Sequence, residues 1–252
     1  MSQALDLEKR GPNTDEDRAR CLARARNYPY DFPLISFTYR DGVVDPFDAD
    51  LCEGRTPVLA FGSNQSPERL WQKYRFEANT VIPVQRALLK DFDVVYTARI
   101  ASYGALPAML QAHAGVEVSL AVTWLDTSQL LIMHESEGTG INYDFVLLED
   151  VEVSFEEGGI VGKICAYASR HCNFVHDGSA VALSAVSATG RCWPERTTEE
   201  MLVLTRDRVK PKANINEFIL NLVNDGEFRS NCTEALGRDA EAFVYPCQVI
   251  RV

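Results

Sequence analysis

Residues 116–124 alternate without a break: Val116, Val118, Leu120, Val122 and Trp124 fall on one side, Glu117, Ser119, Ala121 and Thr123 on the other. Successive side chains of a strand point to opposite faces, so this pattern predicts a strand with one face buried. Val81–Val84 and Phe92–Thr97 read as strands before it. Tyr143–Phe155 and Val161–Ser169 read as strands after it, joined through Glu156-Glu157-Gly158-Gly159. One helix interrupts the series: Asp126 or Thr127 caps it, it runs through Glu137, and Gly138 ends it. Most of these strands follow one another without the long crossover that parallel neighbours need. The expectation is an α+β fold built on a mainly antiparallel β-sheet or barrel with a few helices.

Outside that block the pattern changes. Residues 1–13 read as flexible, and Asn13 or Thr14 is placed to cap a helix over Asp15–Arg26 with Asp15 and Glu16 in its first turn. Tyr28–Phe47 carries Pro29, Pro33 and Pro46 with a turn at Asp41-Gly42, and reads as extended chain wrapping the main domain. Thr197–Arg208 has a cap and an acidic first turn. Ile215, Phe218, Ile219, Leu222 and Val223 mark a second helical stripe, and a third helix runs to Leu236. The expected organisation is residues 1–56 as an N-terminal helix and extended segment, 57–179 as the main domain, and 180–252 as a mostly helical C-terminal extension packed on it.

The formal net charge of −11, with Lys and Arg scattered, excludes a nucleic-acid binder, because phosphate recognition needs clustered cations. No run approaches the roughly 18 apolar residues of a membrane span. Met1–Arg20 is charged throughout and lacks the apolar core of a secretory signal. The seven cysteines are widely spaced with no CxxC pair, which suits reduced thiols and a cytoplasmic setting. His171, Cys172 and His176 match no zinc spacing, so no metal is expected. Residues 157–164 fail the phosphate-loop pattern, with Glu157 where its first glycine belongs and Ile164 where a Ser or Thr is needed. Nothing in the chain speaks to oligomeric state.

Two segments offer chemistry. Pro57–Ala60 and Phe61 form a short apolar strand, Gly62-Ser63-Asn64 a tight turn, and Ser66-Pro67 a helix start. Backbone N–H groups and small polar side chains then point at one spot, which suits a carboxylate. The same residues also suit an ordinary strand-to-helix turn. In the helix ending at Gly138, Leu130, Met133, His134 and Glu137 share a face. Partial burial and the negative helix end would raise the Glu137 pKa, as a general base requires. Glu135, beside Leu131 on a neighbouring stripe, is the competing carboxylate, and both also fit a solvated helix end.

Taken in order, these residues resemble the γ-glutamylcyclotransferase-like superfamily. Its signature is an apolar strand ending in Tyr-Gly-Ser-Asn-Leu, and this chain has Phe61-Gly62-Ser63-Asn64-Gln65 there. The family's catalytic Glu is followed by Gly and, several residues on, by a Tyr that opens a strand; Glu137-Gly138 and Tyr143 match that order. Tyr103–Leu110 and Gly115–Leu125 resemble the segments between. Phe61 for Tyr and Gln65 for an apolar residue are departures. The resemblance spans roughly residues 57–170. It implies a β-barrel with flanking helices and a cofactor-independent, acyltransferase-type enzyme acting on a small molecule with a carboxylate. Phe61, Gly62, Ser63, Asn64, Gln65 and Tyr143 would bind the substrate, and Glu137 rather than Glu135 would act as base in releasing 5-oxoproline. A non-catalytic binding module of the same fold, and an amide or acyl transferase on another substrate, remain alternatives.

Overall fold

The computed structural model describes residues 14–251. The readings on residues 1–13, Asn13 as a cap among them, lie outside the described residues. Helix α1 (Asp15–Arg26) is capped by Thr14, whose side chain accepts from the Asp17 amide. A hairpin of β1 (Phe37–Arg40) and β2 (Val43–Pro46) follows, then β3 (Thr56–Ala60) and helix α2 (Pro67–Tyr74). The long strands β4 (Val81–Tyr96) and β5 (Ala108–Leu125) come next, then α3 (Thr127–Glu137), β6 (Tyr143–Phe155) and β7 (Ile160–Ser169).

The strands β5, β3, β7, β6 and β4 are paired in that order, and β4 pairs back onto β5 to close a barrel. Strand directions cannot alternate all the way around an odd-numbered ring. One neighbouring pair must be parallel, and here it is β3 with β7, through Val58 opposite Cys165. The barrel is therefore mixed, which corrects the expectation of a mainly antiparallel one: its other neighbouring pairs are antiparallel, and ring closure imposes the exception.

The alternation in β5 is realised: Val118, Leu120 and Val122 are fully buried inside the barrel. The opposite face is not simply solvent-exposed. Ala121 and Leu125 join a second apolar cluster with Leu70 and Tyr74 of α2, Met133 of α3 and Phe37 and Tyr39 of β1. These elements cover the outside of the barrel near the cleft. β4 is one continuous strand where two were expected. The buried polar pair Gln85 and Arg86 broke the apolar pattern, and a bulge at Asp91 (φ 62°) keeps the strand in register.

Beyond β7 the chain is part strand and part helix. The short strands β8 (Val175–His176) and β9 (Ser179–Ala180) close the expected main domain, and β10 (Ala182–Leu183), β11 (Ala188–Thr189) and β12 (Glu195–Arg196) occupy the start of the expected helical extension. β10 pairs with β4 and β11 with β5, satisfying backbone groups those long strands would otherwise leave open. Helices α4 (Thr198–Val209), α5 (Ile215–Asn224) and α6 (Gly226–Leu236) then pack together, and β13 (Cys247–Val249) returns to pair with β6. The expectation of a mostly helical 180–252 is corrected on this point: the segment is woven into the sheet at both ends. α1 docks on α5, with Arg18 bonded to Glu217 at 2.7 Å and Arg26 to the Asn216 side-chain oxygen at 2.6 Å. The Thr198 hydroxyl donates to the Tyr28 carbonyl at 2.6 Å, which anchors the chain leaving α1. Among the described residues no helix is long and apolar enough to cross a membrane.

Candidate active site

β3 carries Val58, Leu59 and Ala60 in the core and is followed by the buried Phe61. The chain then turns through one 3₁₀ step over Ser63–Gln65 and enters α2 at Ser66 and Pro67. The Gln65 amide donates to the Gly62 carbonyl (3.3 Å) and the Ser66 amide to the Ser63 carbonyl (2.9 Å). The Ser63 and Asn64 amides donate to no group among the described residues, so two N–H groups are left for a ligand. Gly62 is required by close approach, not by an unusual dihedral. A Cβ there would lie 2.6 Å from the Tyr28 hydroxyl oxygen, which accepts the Ala108 amide at 2.7 Å.

The turn forms one wall of a cleft of about 980 Å³ bounded by α1, α2, α3 and the loop before β5. Glu137 stands in it as the last residue of α3, which is closed by a capping box at Asp126 and by left-handed Gly138 (φ 63°). Glu137 Oε1 accepts from Asn64 Nδ2 at 3.1 Å and from Lys73 Nζ. Its Oε2 has no partner among the described residues and is left to the cleft. Glu135 lies at the exposed rim of the same cleft, without a bond to the loop. The geometry therefore joins Glu137, not Glu135, to the Gly-Ser-Asn turn.

Phe61, Gly62, Ser63, Asn64 and Tyr143 all line the cleft. Gln65 does not. It is buried beneath the turn, its Oε1 accepting from Arg86 Nη1 at 2.6 Å while its Nε2 donates to the Gly62 carbonyl at 3.4 Å. Arg86 in turn donates to the Ser119 hydroxyl at 2.8 Å. Gln65 thus supports the turn from the barrel side.

Lys73 was not read from the sequence. Its side chain is 1% exposed, pinned between Glu137 and the Met133 sulfur. The signal was present: Leu70, Lys73 and Tyr74 fall at i, i+3 and i+4 on the apolar face of α2, where a lysine needs a partner. Burial draws the Lys73 ammonium down to about 8 against the opposing pull of Glu137. For Glu137, burial pushes upward, but the Lys73 charge, the bonds from Lys73 and Asn64, and the Arg69 charge together hold it below the usual carboxylate value. This corrects the expectation of a raised pKa, which counted burial and the helix end without the lysine.

Five phenols complete the lining: Tyr28, Tyr30, Tyr103, Tyr143 and Tyr167. Burial is the largest reason that each stays protonated, and the nearby Glu137 charge adds to it for Tyr28, Tyr143 and Tyr167. Tyr167 is tied to His134 Nδ1 at 2.9 Å, and Tyr28 stacks on Tyr103 at 6.2 Å between ring centroids. The cleft thus offers free amides for an anion, a carboxylate oxygen for a proton, and neutral phenols as walls. His171, Cys172 and His176 gather into no metal-binding group among the described residues.

Solved structures with similarity to this one include a gamma-glutamyl cyclotransferase. The match is 23% identical and covers 44% of this chain, with a TM-score of 0.36. It spans 64% of that protein's length. A second is an uncharacterized protein from Homo sapiens, 16% identical over 85% of this chain and 94% of the other, also with a TM-score of 0.36. No protein-family model matches the chain, and no curated protein matches it.

Proposed function

We propose that the cleft catalyses intramolecular aminolysis of a γ-glutamyl amine or amino acid, releasing 5-oxoproline. One observation carries this reading: Asn64 and Lys73 both hold Glu137 Oε1, which leaves Oε2 without a partner in the cleft that Ser63 and Asn64 also line. The substrate α-carboxylate binds the Ser63 and Asn64 N–H groups. Its α-ammonium then meets Glu137 Oε2 and gives up a proton. The amine nitrogen attacks the γ-carbonyl carbon, forming the ring C–N bond. As the tetrahedral oxyanion collapses, the bond to the leaving nitrogen breaks and Glu137 passes the first proton to that nitrogen; the ring nitrogen then gives up its second proton through Glu137 to the departing amine, which leaves as an ammonium. Water is not consumed and no cofactor enters. Ring closure within one bound molecule gains chiefly from orientation, which a walled cleft supplies.

The test is release of 5-oxoproline from a panel of γ-glutamyl amines and dipeptides by the wild type and by Glu137→Gln. A general base contributes about 10²- to 10⁴-fold, and the variant is expected to lose that much turnover. Equal turnover in the two proteins would remove Glu137 as base. A second reading is a binding module of the same fold. Its support is the Lys73 ion pair, which makes Glu137 a weaker base than an isolated buried carboxylate. Saturable binding of a γ-glutamyl compound without product would favour it. Product other than 5-oxoproline would point to acyl transfer on another substrate.

A further inference from the structure

The cleft carries more positive charge than a γ-glutamyl group can use. The chain as a whole has a net charge of −11, yet six cationic side chains line the cleft against four carboxylates. Lys73 is satisfied by Glu137. Arg69, Arg75 and Arg99 pair with no carboxylate among the described residues: Arg69 bonds only the neutral Gln72 side chain at 3.1 Å, and Arg75 lies over the Trp71 and Phe76 rings at 5.0 and 4.9 Å. Arg69 and Arg75 belong to α2 and its C-terminal end, and Arg99 to the loop after β4, so they reach the cleft from two directions. Trp71 and Phe76 are 44% and 62% exposed at the same mouth, an apolar ledge beside the charge. The space is also large: about 980 Å³ is at the upper end for a drug-sized ligand and well beyond a single amino acid.

On the reading that this is a cyclotransferase site, we propose that its leaving-group side takes an acidic peptide, a γ-glutamyl chain whose departing part bears two or more carboxylates. The α-carboxylate of the reacting residue occupies the turn amides, as above. Arg69 and Arg99 receive carboxylates of the departing part as charge-assisted pairs, and Arg75 on its aromatic ledge meets the outer end. In a protein otherwise repelling anions, these guanidinium groups select for the acidic chain over a neutral amine.

The experiment compares three substrates: γ-glutamylbutylamine, γ-glutamylalanine and γ-glutamyl-γ-glutamylglutamate. Their departing parts carry no, one and three carboxylates. On this proposal kcat/KM rises by about tenfold or more from the first to the last, chiefly through KM, and falls with added salt. Arg69→Gln and Arg99→Gln each flatten the series, and the Lys variants restore part of it. 5-Oxoproline from all three with the neutral compound equal or best would overturn the proposal and leave the cyclotransferase reading standing. If no compound is turned over, calorimetric titration separates the two ideas. Binding of the triglutamate but not the butylamide, lost in Arg99→Gln with unchanged thermal unfolding, upholds the acidic ligand and overturns the cyclotransferase reading. Binding of neither overturns both.

Discussion

Lys73 and Glu137 form an ion pair across the base of the cleft, with the lysine side chain 1% and the glutamate 16% exposed. Two helices far apart in the chain, α2 and α3, each contribute one partner. The lysine turns one carboxylate oxygen away from the cleft and leaves the other to it. It also sets the charge of the carboxylate, holding it ionised where burial alone would protonate it.

Lys73→Met removes that influence. Burial then acts on Glu137 unopposed by the ammonium, so its pKa rises and the acid limb of kcat/KM moves to higher pH. Folding stability falls by up to about 3 kcal/mol, the low end for a broken buried pair because Glu137 opens onto the cleft. A pH–rate profile and chemical denaturation check both parts; an unmoved acid limb would show that Lys73 does not tune the base.

Stability should also depend on alkaline pH. The folded Lys73 ammonium titrates at about 8, below the ordinary lysine value, so between the two the unfolded chain binds more protons. The Lys73 contribution to stability therefore rises with pH from about 8 to about 10.4. Glu137 has the opposite window. Its depressed pKa contributes stability above the ordinary carboxylate value, lost as pH falls through the folded one. The stability difference between the wild type and Lys73→Met, measured by denaturation across pH 7 to 10.5, should rise over that window. Thiols whose pKa burial raises, such as Cys52 and Cys165, act in the opposite direction, but they are common to both proteins and cancel in the difference.

Gly62→Ala places a methyl 2.6 Å from the Tyr28 hydroxyl oxygen. The phenol must move and the Ala108 amide loses its acceptor, at a cost of about 1–3 kcal/mol. Adding Tyr28→Phe removes the oxygen in the way. The double variant should lose less stability than the sum of the two single ones, and additive losses would place the strain elsewhere.

Gln65→Leu removes the acceptor of buried Arg86. Stability should drop by about 1–3 kcal/mol, because an unsatisfied guanidinium N–H stays buried. A neutral or stabilising result would mean that Ser119 alone satisfies Arg86.

Much of the fold was legible locally. The alternation of Val116–Trp124, the Asp126 cap and the Gly138 stop are short-range signals, and β5 and α3 follow them. β4 was read as two strands because Gln85 and Arg86, polar yet buried, interrupt its apolar run; only their partners in space make them acceptable there. The short strands after residue 178 escaped notice because two-residue pairings leave no periodicity to read.

The site divides in the same way. By itself the sequence determined the turn at Gly62–Asn64, the helix ending at Glu137, and which side of that helix faces inward, since each depends on neighbours within about one helical turn. Tertiary structure decided that the turn and the helix end meet, that the barrel closes through one parallel pair, that Gln65 faces Arg86 instead of the cleft, and that Lys73 lowers the Glu137 pKa where sequence reasoning raised it. The physical reason is range: local conformation follows from adjacent residues, whereas the charge on a buried carboxylate follows from whatever the fold brings within a few ångströms of it.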